Sequence, residues 1–378
     1  MKILMTADTV GGVWNYALEL AHALAGQGVR VALATMGAPL TAEQRRAVRT
    51  TQNLTLYESS YQLEWMVNPW EDVARAGEWL LKLEREFRPD IIHLNNYVHA
   101  ALRWRAPTLV VGHSCVLSWW SHVRRAPAPK EFNRYHREVG LGLQAARMVV
   151  APTQAFMDVL NSYYGPLGRK RVLYNGCNPR RLQVATKEPF VLAVGRLWDE
   201  AKNVGALADA APRLDWPVYV AGEGQHPQGG RATFENLNQL GQLVPSVLTS
   251  WYARAAIYAF PARYEPFGLS VLEAALSGCA LVLGDLPSLR EIWGDTALFV
   301  PPNDTGALEH AINGLIADPN RRDALAARSR RRARTYTHRR MVQGYRTVYE
   351  ELCPTWTGSN PMPGSLAAVH PGSWAINC

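Results

Sequence analysis

Short apolar runs alternate with longer stretches of helical periodicity along most of the chain. Lys2–Ala7 is apolar enough for a strand covered on both faces. Asp8-Thr9-Val10-Gly11-Gly12 reads as the turn that follows. Val13–Leu24 then places Trp14, Ala17, Leu18, Ala21 and Leu24 at helical spacing. Gly26 and Gly28 end that helix, and Val29–Thr35 is predicted as the next strand. Ile91–Leu94, Thr108–Val111 and Met148–Ala151 repeat the strand pattern, with helical stretches such as Glu71–Phe87 between them. This alternation predicts a parallel, doubly wound α/β sheet.

The pattern restarts after the turn signals Asn175-Gly176 and Asn178-Pro179. Phe190–Val194, Pro217–Ala221, Ile257–Phe260, Ala280–Leu283 and Leu298–Val300 read as strands. Val204–Ala211, Gly268–Leu276 and Thr305–Ala317 read as helices. The expectation is two Rossmann-like domains, residues 1–175 and 176–338, facing each other across a cleft. A terminal helix over 339–352 is expected to pack on either half, crossing back to the first in one arrangement. Residues 353–378, with four prolines and three glycines from Pro354 onward, are expected to be irregular.

A length of 378 residues suits two domains, and 48% hydrophobic with 19% charged residues suits a buried core rather than disorder. The net charge of +8 is local. Residues 321–340 hold nine arginines against Asp323 alone, and the rest of the chain balances. That run reads either as a solvated helix face or as a patch for peripheral contact with an anionic membrane. It lacks the interleaved aromatics of a single-strand nucleic-acid binder, so no nucleic-acid partner is expected. Five scattered cysteines fit a reducing compartment. No stretch of eighteen apolar residues suggests a membrane span, and the N-terminal segment turns polar too early for a secretory leader. The expectation is a cytoplasmic protein, at most peripheral to the inner face of the membrane.

Ligands of parallel sheets bind beyond the carboxyl ends of the strands, so residues just after each strand carry the candidate chemistry. Phe260–Ala274 is the most informative stretch. Glu265 lies on the loop after one strand and Glu273 lies eight residues on, in the following helix. Phe267, Gly268, Leu269 and Ser270 sit at the helix start, where free N–H groups would face an anion. After the Phe190–Val194 strand, Arg196 and Lys202 share one loop. Two cations there would stabilise the charge that develops on a departing diphosphate. Gly11 and Gly12 lack the G-x-G-x-x-G spacing of a dinucleotide fold, although they let backbone approach a ligand. Gly222 and Glu223 end another strand. His113, Asn95 and Asn96 follow strands of the first half, as does His93, at the end of one. Trp14, Asn15 and Trp119 are candidates for acceptor contact; packed core tryptophans and docking on a membrane surface are the competing readings for Trp119 and its neighbour Trp120.

The spacing of Arg196, Lys202, Glu265 and Glu273, with Phe267-Gly268-Leu269 intact, resembles the retaining GT-B glycosyltransferases of family 4 over residues 1–352. The resemblance implies that Glu265 and His113 contact the transferred sugar, Glu273 the nucleotide ribose, and Arg196 and Lys202 the diphosphate. It also implies that Gly11, Gly12, Gly222 and Glu223 border the donor. The partners would be a nucleotide-diphosphate sugar and an acceptor carrying a hydroxyl. No Asp-x-Asp occurs in the chain, so no metal and no other cofactor is expected. Pro261-Ala262 and Gly278-Cys279-Ala280 depart from the usual Ser and Pro at those places, which bears on packing alone. A sugar-nucleotide 2-epimerase of the same fold and a non-catalytic nucleotide-sugar-binding protein are the competing readings.

Overall fold

A computed structural model of the chain describes residues 1–9, 11–226 and 229–356. Val10 and most of the expected irregular tail, from residue 357 onward, lie outside the described residues. The first lobe begins with β1 (Lys2–Asp8), α1 (Gly12–Ala25), β2 (Arg30–Met36), α2 (Ala42–Arg49), β3 (Leu54–Glu58) and α3 (Trp70–Phe87). It continues through β4 (Ile91–Leu94), β5 (Thr108–Val111), α4 (Val116–Trp119), α5 (Asn133–Ala145), β6 (Met148–Ala151), α6 (Gln154–Tyr164) and β7 (Lys170–Val172).

The second lobe runs through β8 (Glu188–Val194), α7 (Val204–Ala210), β9 (Val218–Ala221), β10 (Asn238–Gly241), α8 (Pro245–Arg254) and β11 (Ala255–Phe260). Then come α9 (Leu269–Leu276), β12 (Ala280–Gly284), α10 (Pro287–Trp293), β13 (Leu298–Val300), α11 (Thr305–Ala317), α12 (Pro319–Ala333) and α13 (His338–Leu352).

All strand pairs are parallel. The first sheet has the order β3-β2-β1-β4-β5-β6-β7 and the second β10-β9-β8-β11-β12-β13. In each, the chain winds outward from the first strand and then reverses, so the switch points lie between β1 and β4 and between β8 and β11. A crevice opens there beyond the strand ends. The central strands are continuous apolar runs because helices cover both of their faces; β4, β5 and β6 are buried at every position.

The strands absent from the periodicity reading, β3, β7 and β10, are all at or next to a sheet edge. Their exposed positions and polar residues, as in Asn238-Gln239-Leu240-Gly241, carry no apolar run to detect.

The last helix returns to the first lobe. Met341, Val342, Tyr345, Val348, Tyr349 and Leu352 share one core with Ile3, Trp14, Leu20 and Val31. The two connections between lobes run side by side: Cys177 N–H donates to the Tyr336 carbonyl and His338 N–H to the Cys177 carbonyl. Among the described residues no helix is long and apolar enough to cross a membrane. The Arg-rich helix α12 is part solvated and part structural. Arg330 donates to the Leu276 carbonyl, Arg332 to the Ile292 carbonyl, and Arg322 to the Leu315 carbonyl, while Arg321, Arg328, Arg331 and Arg334 are exposed.

Candidate functional site

The loop after β8 is shaped by close backbone packing. A Cβ on Gly222, where φ is +147°, would sit 1.7 Å from the Gly195 carbonyl oxygen, so only glycine fits. The Glu223 carbonyl accepts from Leu197 N–H at 2.8 Å, while its exposed carboxylate turns back to accept from Gln225 N–H. Gly222 and Glu223 thereby hold the Arg196 loop.

Arg196 donates to Asp199 at 2.7 Å, and Asp199 is buried, with 6% of its surface exposed. Burial opposes its ionisation, yet the positive charges of Arg196 and Lys202 hold its carboxyl below the usual range. The Trp119 indole N–H donates to the same carboxylate at 3.2 Å from the first lobe. Asp199 is thus a buried anchor for the Arg196 guanidinium. The far side of that guanidinium lies against the glycine turn: a Cβ on Gly11 (φ +91°) would meet Arg196 Nη1 at 3.0 Å.

Lys202 and Glu265 form an ion pair at 2.8 Å, both largely shielded, at 16% and 15% side-chain exposure. The other Glu265 oxygen accepts from Phe267 N–H at 3.2 Å and Gly268 N–H at 3.0 Å. Two cationic groups and two carboxylates therefore meet at the switch point of the second sheet, balanced in charge.

Several expectations need correction. The Gly268 N–H is taken by Glu265, so the helix start offers an anion only the following N–H groups, beginning with Leu269 and Ser270. Phe267 packs in the core, edge-on to Tyr336. Trp14 is 6% exposed, because it shares the inward face of α1 with Ala17, Leu20 and Leu24. Asn15 is exposed on the opposite face. His93 also points inward: it bonds the Tyr349 hydroxyl at 2.7 Å, and burial pushes its pKa down to about 3. Trp119 bridges the lobes instead of standing open to an acceptor.

Leu269 approaches the first lobe, its Cδ1 lying 3.9 Å from where a Cβ on Gly12 would be. Ser270 is half-buried in the first turn of α9. Glu273 is placed one turn on. Burial pushes its carboxyl up to about 7, and the charge of Glu19 on α1 adds to this. Across the crevice, His113 Nε2 lies 2.8 Å from Asn95 Oδ1, and its ring meets Tyr16 edge-on at 4.7 Å. Asn96 donates its amide to His99 at 2.8 Å and keeps a buried oxygen without a partner.

Sequence reasoning passed over Glu19, Tyr16 and Tyr264. The Asp199 side chain accepts from Ala201 N–H, a turn signature visible in Asp199-Glu200-Ala201. Tyr264 has no comparable local signal. It precedes Glu265 in the second lobe, yet its ring is buried in the core of the first. Its hydroxyl accepts from Cys115 N–H at 2.9 Å and shares a hydrogen bond with Ser118 at 2.9 Å. Glu291 of α10 accepts from Gln154 and Ala155 N–H at the start of α6, each at 2.8 Å. The lobes are therefore pinned together on both sides of the site.

A family model described as Glycosyltransferase Family 4 matches residues 10–181, and one described as Glycosyl transferases group 1 matches residues 188–318. Glycogen synthase of Mycobacterium tuberculosis is 26% identical over 299 residues, 71% of each chain. Among solved structures, sucrose-phosphate synthase from Thermosynechococcus elongatus aligns with a TM-score of 0.78 at 19% identity, covering 94% of this chain and 100% of that one. Anabaena HepE in complex with UDP-glucose aligns with a TM-score of 0.73 at 17% identity, covering 93% and 100%. The architecture is that of GT-B glycosyltransferases.

Proposed function

The chain belongs to the glycosyltransferases of family 4 and group 1, and from that premise we propose that it moves a sugar, with retention and without a metal, from a nucleotide diphosphate to an acceptor hydroxyl. The observation that carries this reading is the balanced cluster of Arg196, Asp199, Lys202 and Glu265 at the mouth of the second sheet. A diphosphate would take over the two cations, which are already oriented by their carboxylates. Preorganised charge of this kind acts most strongly where negative charge grows as the anomeric carbon–oxygen bond breaks.

Glu265, released in part from Lys202, then faces the sugar. Glu273 is partly protonated near neutral pH, so it can donate to or accept from a ribose hydroxyl. The acceptor enters from the first lobe. Its oxygen bonds the anomeric carbon on the face the diphosphate leaves, and its proton passes to the leaving phosphate oxygen. Two cations supply the stabilisation that a divalent metal supplies elsewhere, which supports metal independence. HepE was crystallised with UDP-glucose, which supports a sugar nucleotide as donor.

The test is turnover of the sugar nucleotide that most raises the melting temperature, assayed with chelator present. Lys202→Ala and Glu265→Gln should each lose at least about a hundredfold. Transfer at near-normal rates in both variants, or transfer abolished by chelation, would overturn the reading.

A further inference from the structure

Asn95 sits just beyond β4 at the switch point of the first sheet. Both of its nitrogens donate to the neighbouring strand: the backbone N–H to Thr6 Oγ1 at 2.9 Å, and the side-chain Nδ2 to the Thr6 carbonyl at 2.7 Å. A carbonyl oxygen only accepts, so the amide cannot be turned around without setting oxygen against oxygen. Thr6 is buried, with 1% of its surface exposed, so water does not compete for these bonds. Asn95 Oδ1 is therefore fixed facing His113 Nε2 at 2.8 Å. An amide oxygen has no hydrogen to give, so the proton of that bond belongs to the imidazole.

We infer that Asn95 is a positioning residue that locks His113 in its Nε2–H form and leaves Nδ1 as an obligate acceptor for a hydroxyl of the bound sugar. This deepens the proposed function and rests on it for the identity of the ligand. No described residue bonds His113 Nδ1, and that atom is not among the buried unpartnered ones. The ring is uncharged as well, since burial holds its pKa down at about 3. The groups facing it add no charge. Tyr16 from α1 is kept protonated by burial, and His93 from β4 is neutral for the same reason. Tyr345 and Tyr349 of α13 close the far side, packed on Tyr16 and His93.

The site thus differs from one built around an imidazolium. A neutral ring with one free lone pair recognises a sugar hydroxyl by accepting its hydrogen bond and takes no part in binding the diphosphate. Both ends of the Asn95 amide are engaged inside the fold, one on Thr6 and the other on His113.

The experiment is nitrogen NMR of the intact protein labelled at histidine, with the His113 signals assigned by their loss in His113→Gln. The expected spectrum has Nε2 protonated and Nδ1 bare, unchanged between pH 5 and 8. An Nδ1–H form, or a ring titrating in that range, overturns the inference. In Asn95→Ala the spectrum should show a share of the Nδ1–H form. The donor kcat/KM should fall about tenfold, the scale of one hydrogen bond, with affinity for the free nucleoside diphosphate unchanged. An unaltered His113 spectrum in Asn95→Ala also overturns it. An altered spectrum with unaltered kinetics upholds the tautomer lock and counts instead against the sugar-facing place of His113. Equal weakening of nucleotide and sugar nucleotide marks general damage to the fold and overturns the positioning role.

Discussion

The two lobes share one topology and present opposite electrostatics at the same place. Beyond the second sheet, Arg196, Asp199, Lys202 and Glu265 form two shielded ion pairs. Beyond the first, Asn95, Asn96, His113 and Tyr16 present uncharged polar groups. Desolvation has a different consequence on each side. In the second lobe each shielded charge has an opposite partner within 3 Å. In the first lobe His93 and His113 bond the uncharged Tyr349 and Asn95, and burial pushes the pKa of both rings down to about 3. Equivalent switch points therefore suit different ligands, an anion on one side and hydroxyl groups on the other.

That contrast can be broken by substitution. Arg196→Ala removes a fork held by a buried carboxylate and should lower turnover by 10²- to 10³-fold, about 3–4 kcal/mol. His113→Ala, which removes one neutral acceptor, should cost about tenfold in the same assay. Equal losses in the two variants would erase the distinction between the lobes.

The pH dependence of stability sharpens the comparison. Glu273 carries a folded-state pKa near 7 against an ordinary 4.5. Between those values the unfolded chain releases its proton first, so Glu273 costs stability as pH rises from about 4.5 to 7, by about 3 kcal/mol at most. Glu273→Gln should remove that part of the slope in denaturant titrations across this range. A slope identical to that of the parent would show that Glu273 is solvated. His113 works in the opposite sense: held neutral at about 3 against an ordinary 6.5, it costs stability as pH falls below about 6.5, so His113→Gln should remove a slope of the opposite sign.

The smallest effect is expected at the joint. Tyr264→Phe deletes the acceptor for Cys115 N–H while keeping the ring in the core of the first lobe. It should cost about 1–2 kcal/mol of stability and enlarge the radius of gyration without ligand, as read by small-angle scattering. An unchanged radius with lowered stability would assign Tyr264 to packing alone.

Local pattern carried the central architecture. A parallel strand buried on both faces must be apolar throughout, so β1, β4, β5 and β6 were visible as runs, and chemistry at parallel strand ends pointed to Arg196, Lys202, Glu265 and His113. The half-exposed strands β3, β7 and β10 left no run to see. Trp14 shows the limit of proximity in sequence: next to the glycine turn, it is rotated by the helix into the core.

What the chain's own order could settle is which residue types stand after which strands. Which of them face each other was decided by packing. Lys202 meets Glu265 across 63 residues, Trp119 meets Asp199 across 80, and Tyr264 meets Cys115 across 149. Such partners are chosen by burial, because a charge or N–H shut away from water takes the partner that space provides, and that choice leaves no period or spacing in the sequence.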